Sequence, residues 1–352
     1  MKEEAKLVGV KEIARRANVS IATVDRVLNN RTGVSIKTKE TILAIIKELD
    51  YQPNIMARRL ASKKTLKFVA LIPSVSQESD YWSAPYKGIQ QAASEIKDYG
   101  ITVETHHFDQ NEKATFIKLA KEVLKGGYNG VLLAPMFENE SIEFVKSCEQ
   151  LEIPVVFINS DIEEQKTLTY IGPDLYQSGY LSAHVINYLV KDGDEVLIVN
   201  VSKEIDRHHH LLRKEEGFRT YYQKKGKKVN IDRLDIHSTD YASVKEALKI
   251  SLDHKKVDVV FVTNSRVSTV AKYLQEAQLN HIQLVGYDFL DQNIQYLKNG
   301  VIDFLICQKP QEQGYKGIMA LYSYLVHATK VEREQFMPID IITIENYLYY
   351  RN

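Results

Sequence analysis

Apolar residues recur at helical spacing in three short blocks at the start of the chain. Val10, Ile13, Ala14 and Ala17 form the first block, Asn18-Val19 breaks it, and the Ser20 hydroxyl can cap the next helix. In the second block Val24, Val27 and Leu28 share one face, while Ile21, Ala22, Asp25 and Arg26 fall on the opposite side. A polar loop, Asn29-Asn30-Arg31-Thr32-Gly33, precedes Ser35, which can cap a third helix carrying Ile42, Ile45, Ile46 and Leu49. This spacing predicts a three-helix bundle whose second helix leaves one face free for a partner.

From Lys67 onward the period changes. Short apolar runs (KFVALIP, ITVETHHF, GVLLAP, IPVVFINS, DEVLIVN, VDVVFVTN, IQLVGYD, FLICQ) alternate with longer helical patterns. Alternation of that kind predicts parallel strands joined by crossover helices. A segment running from 67 to 352 exceeds one ordinary layer-packed unit, so two α/β lobes are expected.

Charge changes the picture more than composition does. The net charge is zero, yet residues 1–66 hold 14 Lys or Arg against 7 Asp or Glu, and the remainder holds 32 against 39. A small basic head attracts phosphate and releases counterions, whereas an acidic remainder has no general reason to follow a nucleic-acid backbone. Cys148 and Cys307 lie far apart and read as reduced, buried thiols. No apolar run approaches the roughly 18 residues a membrane span requires. MKEEAKLV lacks the apolar core of a secretory signal, which points to the cytoplasm.

The head resembles the DNA-binding domain of the lactose-repressor (LacI/GalR) family of bacterial transcription regulators. VKEIARRANVS, ATV-x-RVLN, VS-x-x-T, and YQPN followed by ARRLAS stand in that family's order and spacing. The resemblance implies that Ile21, Ala22 and Arg26 read base edges in the major groove, with Arg26 able to donate two parallel hydrogen bonds to guanine. Ser20, Thr23 and Asn29 would hold register on phosphates. Asp25 departs from the family, which usually has Ser there. Its carboxylate either accepts from a cytosine amino group or orients a nearby basic side chain.

Pro53 interrupts the helical pattern and Asn54 can cap a short helix, Ile55 to Leu60, too short to be stable alone. The resemblance implies that two such hinge helices pair in the minor groove. Asn54, Ala57 and Arg58 would then contact DNA and Leu60 would wedge between base pairs, unless Met56 and Leu60 only pack within the helix. Expected segments are 1–53 (DNA-binding head), 54–66 (hinge and linker) and 67–352 (effector body). The body's first lobe is expected at about 67–174 and 308–336, its second at about 175–307 and 337–352.

The body resembles the periplasmic sugar-binding-protein fold that forms the effector domain of the same family. A ligand would then lie between the lobes, at polar residues ending the strands. Asp80, Tyr81 and Trp82, the only tryptophan, follow the first strand. An indole face can stack on a sugar ring while carboxylates grip hydroxyls, or Trp82 can simply fill a lobe. Asn264, Asp288 and Gln308 end strands at positions where the family holds ligand, although Asn264 and Asp288 can also cap helices. Asn159 is a further candidate, and Asp174 serves either the pocket or the lobe crossing. The family's ligand-binding Arg stands three residues before Gly in R-x-x-G-F; here Arg213 stands four before Gly217, one residue out of phase, and the resemblance still makes it an expected effector contact if the helix start compensates.

His208-His209-His210 does not read as a metal site, because neighbouring helical positions do not share a face. His106 and His107 close a strand. Neither metal nor cofactor is expected. The pattern is that of a ligand-responsive regulator: a homodimer on double-stranded operator DNA, controlled by a small sugar-like effector. A pure solute-binding protein would lack the basic head and carry a signal peptide. An enzyme would need a nucleophile-base pair, a phosphate loop or a metal cluster, and none emerges.

Overall fold

In the computed structural model the described residues are 9–28, 31–49, 51, 65–76, 80–203 and 209–352, the side chains of His209 and His210 excepted. They divide into two compact units, Met1–Lys63 and Lys64–Asn352, each described by itself.

The head contains α1 (Val10–Arg16), α2 (Ile21–Leu28) and α3 (Ile36–Glu48). Asn18 takes a left-handed φ of 50° between α1 and α2, a conformation that Asn tolerates better than most residues. The Ser20 hydroxyl then accepts from the Thr23 amide at 3.2 Å, and Ser35 accepts from the Thr38 amide at 3.1 Å. Each serine satisfies one of the amides that a helix start leaves without an intrahelical partner. Ile13, Val24 and Ile42, one from each helix, are fully buried, with Ala14 and Val27 beside them. Arg16 links α1 to α3 through Glu48 at 2.8 Å.

The body holds two six-stranded sheets. In chain order the first lobe has β1 (Leu66–Pro73), α4 (Ser83–Ile96), β2 (Ile101–Phe108), α5 (Lys113–Lys125), β3 (Gly130–Leu133), α6 (Glu138–Gln150), β4 (Val155–Ile158) and β5 (Thr169–Gly172). The second has α7 (Leu175–Ile186), β6 (Glu195–Val201), α8 (His209–Lys224), β7 (Asn230–Ile236), α9 (Tyr241–Asp253), β8 (Val259–Val262), α10 (Val267–Glu276), β9 (Gln283–Tyr287), α11 (Asp291–Lys298) and β10 (Phe304–Cys307). Then come α12 (Pro310–His327), β11 (Glu334–Phe336) and β12 (Asp340–Ile342). The sheet orders are β11-β5-β4-β3-β1-β2 and β12-β10-β9-β8-β6-β7. Every pairing is parallel except β10 with β12. The chain therefore passes from one sheet to the other after β5, after β10 and after β11.

The central strands β3, β4 and β8 are buried on both faces, as a parallel sheet covered by helices on each side requires. Four strands fall outside the eight apolar runs: β5, β7, β11 and β12. β7 is an edge strand, NIDRLDI, mostly half-buried, so it carries no continuous apolar signal. β11 and β12 are three residues each, too short for period counting.

Two glycines set the spacing of α7 and α8. A side-chain carbon at Gly179 would stand 1.8 Å from the Lys214 carbonyl oxygen, and one at Gly217 would stand 2.0 Å from that of Tyr176. Only glycine permits that approach, and it fixes the rotation of α8 about its axis.

Candidate ligand cleft and base-reading helix

The carboxyl ends of strands from both sheets face one open cleft. This is where α/β sheets gather ligand contacts, because the loops after the strands are free to vary. The loop after β1 supplies Tyr81 and Trp82, and β4 ends on Asn159. The loop after β8 supplies Asn264 and Arg266, β9 runs into Asp288, and β10 into Gln308. Lys214 enters from the first half of α8.

Trp82 is 4% exposed and meets Tyr81 edge-on, with ring centroids 5.2 Å apart. The Tyr81 hydroxyl donates to Asn159 Oδ1 at 2.7 Å, so the Asn159 amide is oriented with its NH2 group left for other partners. Asn159 and Asp288 both sit at left-handed φ, 69° and 75°. Strain of this kind costs ~1–3 kcal/mol per residue and clusters at functional sites.

Asp288 is 7% exposed, and its Oδ1 makes no hydrogen bond to the described residues. Burial raises its pKa, against the pull of the Lys214 charge. Lys214 is 5% exposed; its ammonium lies 3.6 Å from the centre of the Tyr287 ring and donates to the Thr263 carbonyl at 3.2 Å. Burial lowers its pKa, and Asp288 acts in the opposite sense. Each group holds the other closer to its charged form than burial alone would.

Tyr287 continues inward. Its hydroxyl lies 2.9 Å from the Ser178 hydroxyl, which accepts from Gln308 Nε2 at 2.9 Å. The Gln308 carbonyl in turn accepts from Gln313 on α12 at 2.7 Å. A polar chain thus runs from the ring beneath Lys214 to the segment where the backbone passes between sheets.

The structure brings together Tyr81, Trp82, Asn159, Asn264, Asp288 and Gln308. Asn264 also does local work: its NH2 donates to the Val201 carbonyl at 2.8 Å, and its oxygen accepts from the Arg266 amide at 3.2 Å. Asp174 caps α7, accepting from the Gln177 amide at 2.8 Å, and does not line the cleft. Two expectations are corrected. Asp80 is exposed and lies outside the lining. Arg213 points away as well, paired with Glu216 at 2.8 Å and 5.7 Å from the Tyr176 ring.

The cation that α8 contributes to the cleft is Lys214, three residues before Gly217. One helical position turns a side chain by about 100°, enough to exchange Arg213 for Lys214 once Gly217 is pinned against α7. That spacing was the available signal. Arg266, Thr239 and Ser202 were also missed, and only their places after strand ends distinguished them. Asn293, fully buried, donates to the carbonyls of Tyr287 and Asp288 at 3.0 and 2.9 Å and holds this strand end from behind. Among the described residues no group of three or more His, Cys, Asp or Glu side chains is placed to hold a metal.

On the head, Ile21 is 48% exposed and Ala22 and Arg26 are exposed, while Val24 and Val27 are buried, so α2 keeps one face free. Ser20 and Thr23 hydroxyls lie 2.9 Å apart at its start. Asp25 pairs with Arg31 at 3.4 Å, which favours the orienting alternative for its carboxylate. Asn29, Asn54, Ala57, Arg58 and Leu60 lie outside the described residues.

Residues 69–329 match the model of the periplasmic binding protein domain, and residues 9–54 match that of the bacterial regulatory proteins of the lacI family. The chain belongs to the periplasmic-binding-protein domain family, with a lacI-family head. Catabolite control protein A from Priestia megaterium is 28% identical over 286 residues, covering 80% of this chain and 82% of that protein. The HTH-type transcriptional regulator RegA from Clostridium acetobutylicum is 32% identical over 188 residues, so the match spans about half of each, 53% and 52%. A LacI transcriptional regulator from Bacteroides fragilis superposes with a TM-score of 0.77 at 29% identity, over 82% of this chain and all of the other. The glucose-galactose binding protein GanP from Geobacillus stearothermophilus gives 0.71 at 23% identity, over 80% of this chain and 99% of that one, a likeness of fold alone. No helix among the described residues is long and apolar enough to cross a membrane.

Proposed function

We propose that this lacI-family chain is a cytoplasmic transcription regulator without catalytic activity. As a homodimer it binds double-stranded operator DNA through α2, and its DNA affinity is set by a small sugar-like effector in the body's cleft. The observation that carries the effector half is the cleft itself. Buried Asp288 has an unused oxygen, and it shares the cleft with Lys214, the Asn159 amide and the only tryptophan. Apolar face plus convergent polar groups is the composition of a small-molecule site. The DNA half is supported by the free face of α2 and the basic balance of residues 1–66.

The hinge would join the halves: ligand biases the lobes, and the lobes bias whether hinge helices pair on DNA. Effector and operator binding are then reciprocally coupled, typically by ~1–3 kcal/mol. The test uses the full chain. Preferred DNA is selected from a random pool, its binding is followed by fluorescence anisotropy, and a sugar panel is screened by thermal shift. A sugar that raises the melting temperature should also change DNA affinity severalfold, and Asp288→Ala should abolish both effects while the protein stays folded. A sugar that stabilises the Asp288→Ala protein as well would place the site elsewhere.

A further inference from the structure

The charged groups among the described lining residues are unevenly divided, two cations to one carboxylate. Lys214 uses one of its three N–H bonds on the Thr263 carbonyl. Arg266 lines the same cleft at 7% exposure. Asn159 has its oxygen engaged by Tyr81, which leaves its NH2 as donor. Against these, Asp288 is the one carboxylate among the described lining residues. The sign is also opposite to that of the surrounding body, where Asp and Glu outnumber Lys and Arg 39 to 32 over residues 67–352.

Cations held in a buried cleft act on an oxyanion far more strongly than surface lysines do, because little water screens them and their hydrogen bonds are charge-assisted. A neutral sugar can accept hydrogen bonds from both cations, but it brings no charge to balance the second one. An amino sugar would bring a third cation.

We propose that the ligand of this cleft carries an oxyanion, a carboxylate or phosphate on a polyhydroxylated frame, with Lys214 and Arg266 holding the anion and Asp288 a hydroxyl. The proposal rests on the reading of the cleft as the effector site. Lys214 and Arg266 enter from α8 and from the loop after β8, both in the second lobe, while Trp82 and Asn159 belong to the first. The anion therefore sits on the second lobe, and the carbon frame extends toward the indole.

The experiment compares matched trios on the full chain at ~0.15 M salt, a level that screens surface attraction: glucose, glucuronate and glucose 6-phosphate, and the corresponding galactose series. Binding is read by calorimetry. At least one anionic member should bind about tenfold or more tightly than its neutral parent, the scale of one charge-assisted hydrogen bond. Whether the acid or the phosphate binds identifies the oxyanion. Lys214→Gln and Arg266→Gln should each reduce that preference by about tenfold, with circular dichroism confirming the fold. Should Lys214→Gln fail to fold, Arg266→Gln alone decides.

Neutral parents binding as tightly as their acids and phosphates would overturn the oxyanion and leave the effector site standing. No binding by any member would overturn both. A preference untouched by both substitutions would also defeat the assignment.

Discussion

Replacing Lys214 by Met would remove the buried cation while keeping a flexible apolar stem of similar length in contact with Tyr287. The consequence depends on pH. Asp288 has its pKa raised by burial and Lys214 has its pKa lowered, and each charge stabilises the other. A carboxyl whose folded-state pKa is raised loses stability as pH climbs from its unfolded value through its folded one. Without Lys214 that rise is larger, so the penalty at high pH grows.

Breaking one side of a buried pair costs ~3–5 kcal/mol when the remaining charge cannot escape. Asp288 can escape by taking a proton, which makes that figure an upper bound even near neutral pH, where Lys214 and Asp288 are both charged. At acidic pH Asp288 is neutral in both proteins, and Met removes a buried ammonium that has lost its counter-charge. The hydrogen bond to Thr263 and the ring contact are lost there, worth ~1–2 kcal/mol together, against a comparable desolvation relief. The expected destabilisation is therefore near zero at about pH 5.5 and largest, about 2–4 kcal/mol, near pH 7.5, between the Asp288 value of about 7 and the Lys214 value of about 8, where both groups carry charge.

Trp82 is the only tryptophan and is buried beside the cleft, so its fluorescence during urea unfolding reports the body without interference from the head. Equal destabilisation at the two pH values would refute the coupling of Lys214 to Asp288.

Three further outcomes are expected. Arg26→Ala should abolish discrimination between selected and scrambled DNA, about 1–3 kcal/mol per lost bidentate contact, while salt-sensitive binding persists in competition anisotropy; retained discrimination would remove Arg26 from base reading. Gly217→Ala should lower the melting temperature of the body by several degrees, since the added carbon would overlap the Tyr176 carbonyl and overpacking costs ~1–3 kcal/mol. An unchanged melting curve would show that α7 and α8 can separate freely. Ser35→Ala should destabilise the head by ~0.5–2 kcal/mol through loss of the cap to Thr38, measurable by circular dichroism on residues 1–63, and no loss would mean that water replaces the hydroxyl.

Local rules were enough for the head. Serine caps, a break at Asn18 and apolar residues at helical spacing are short-range signals, and α1, α2 and α3 form where they point. Eight runs in the body likewise became strands, most of them continuously apolar because they are buried on both faces, with the partly exposed edge strand β2 as the exception. Three of the four edge strands were not legible: β7 is partly wetted and β11 and β12 find their partners far along the chain, so their signal is in the pairing and not in the segment; the interior β5 was missed too, because TYIG is only four residues long.

The cleft divides along the same line. Strand ends are visible in sequence, and six of eight candidate contacts, Tyr81, Trp82, Asn159, Asn264, Asp288 and Gln308, line one space. Which basic residue of Arg213-Lys214 faces that space is a question of about 100° of rotation, set by a helix partner at Gly179 that lies outside the local sequence. Arg266, in the loop after β8, could be told from the other polar residues after strand ends only once the cleft was formed. Sequence alone determined the three head helices, eight of the twelve described body strands in their order and the family the chain resembles, because hydrophobic period and caps act within a few residues. Tertiary structure decided which charged side chains share a water-poor space and perturb one another, because that depends on packing between segments distant in the chain.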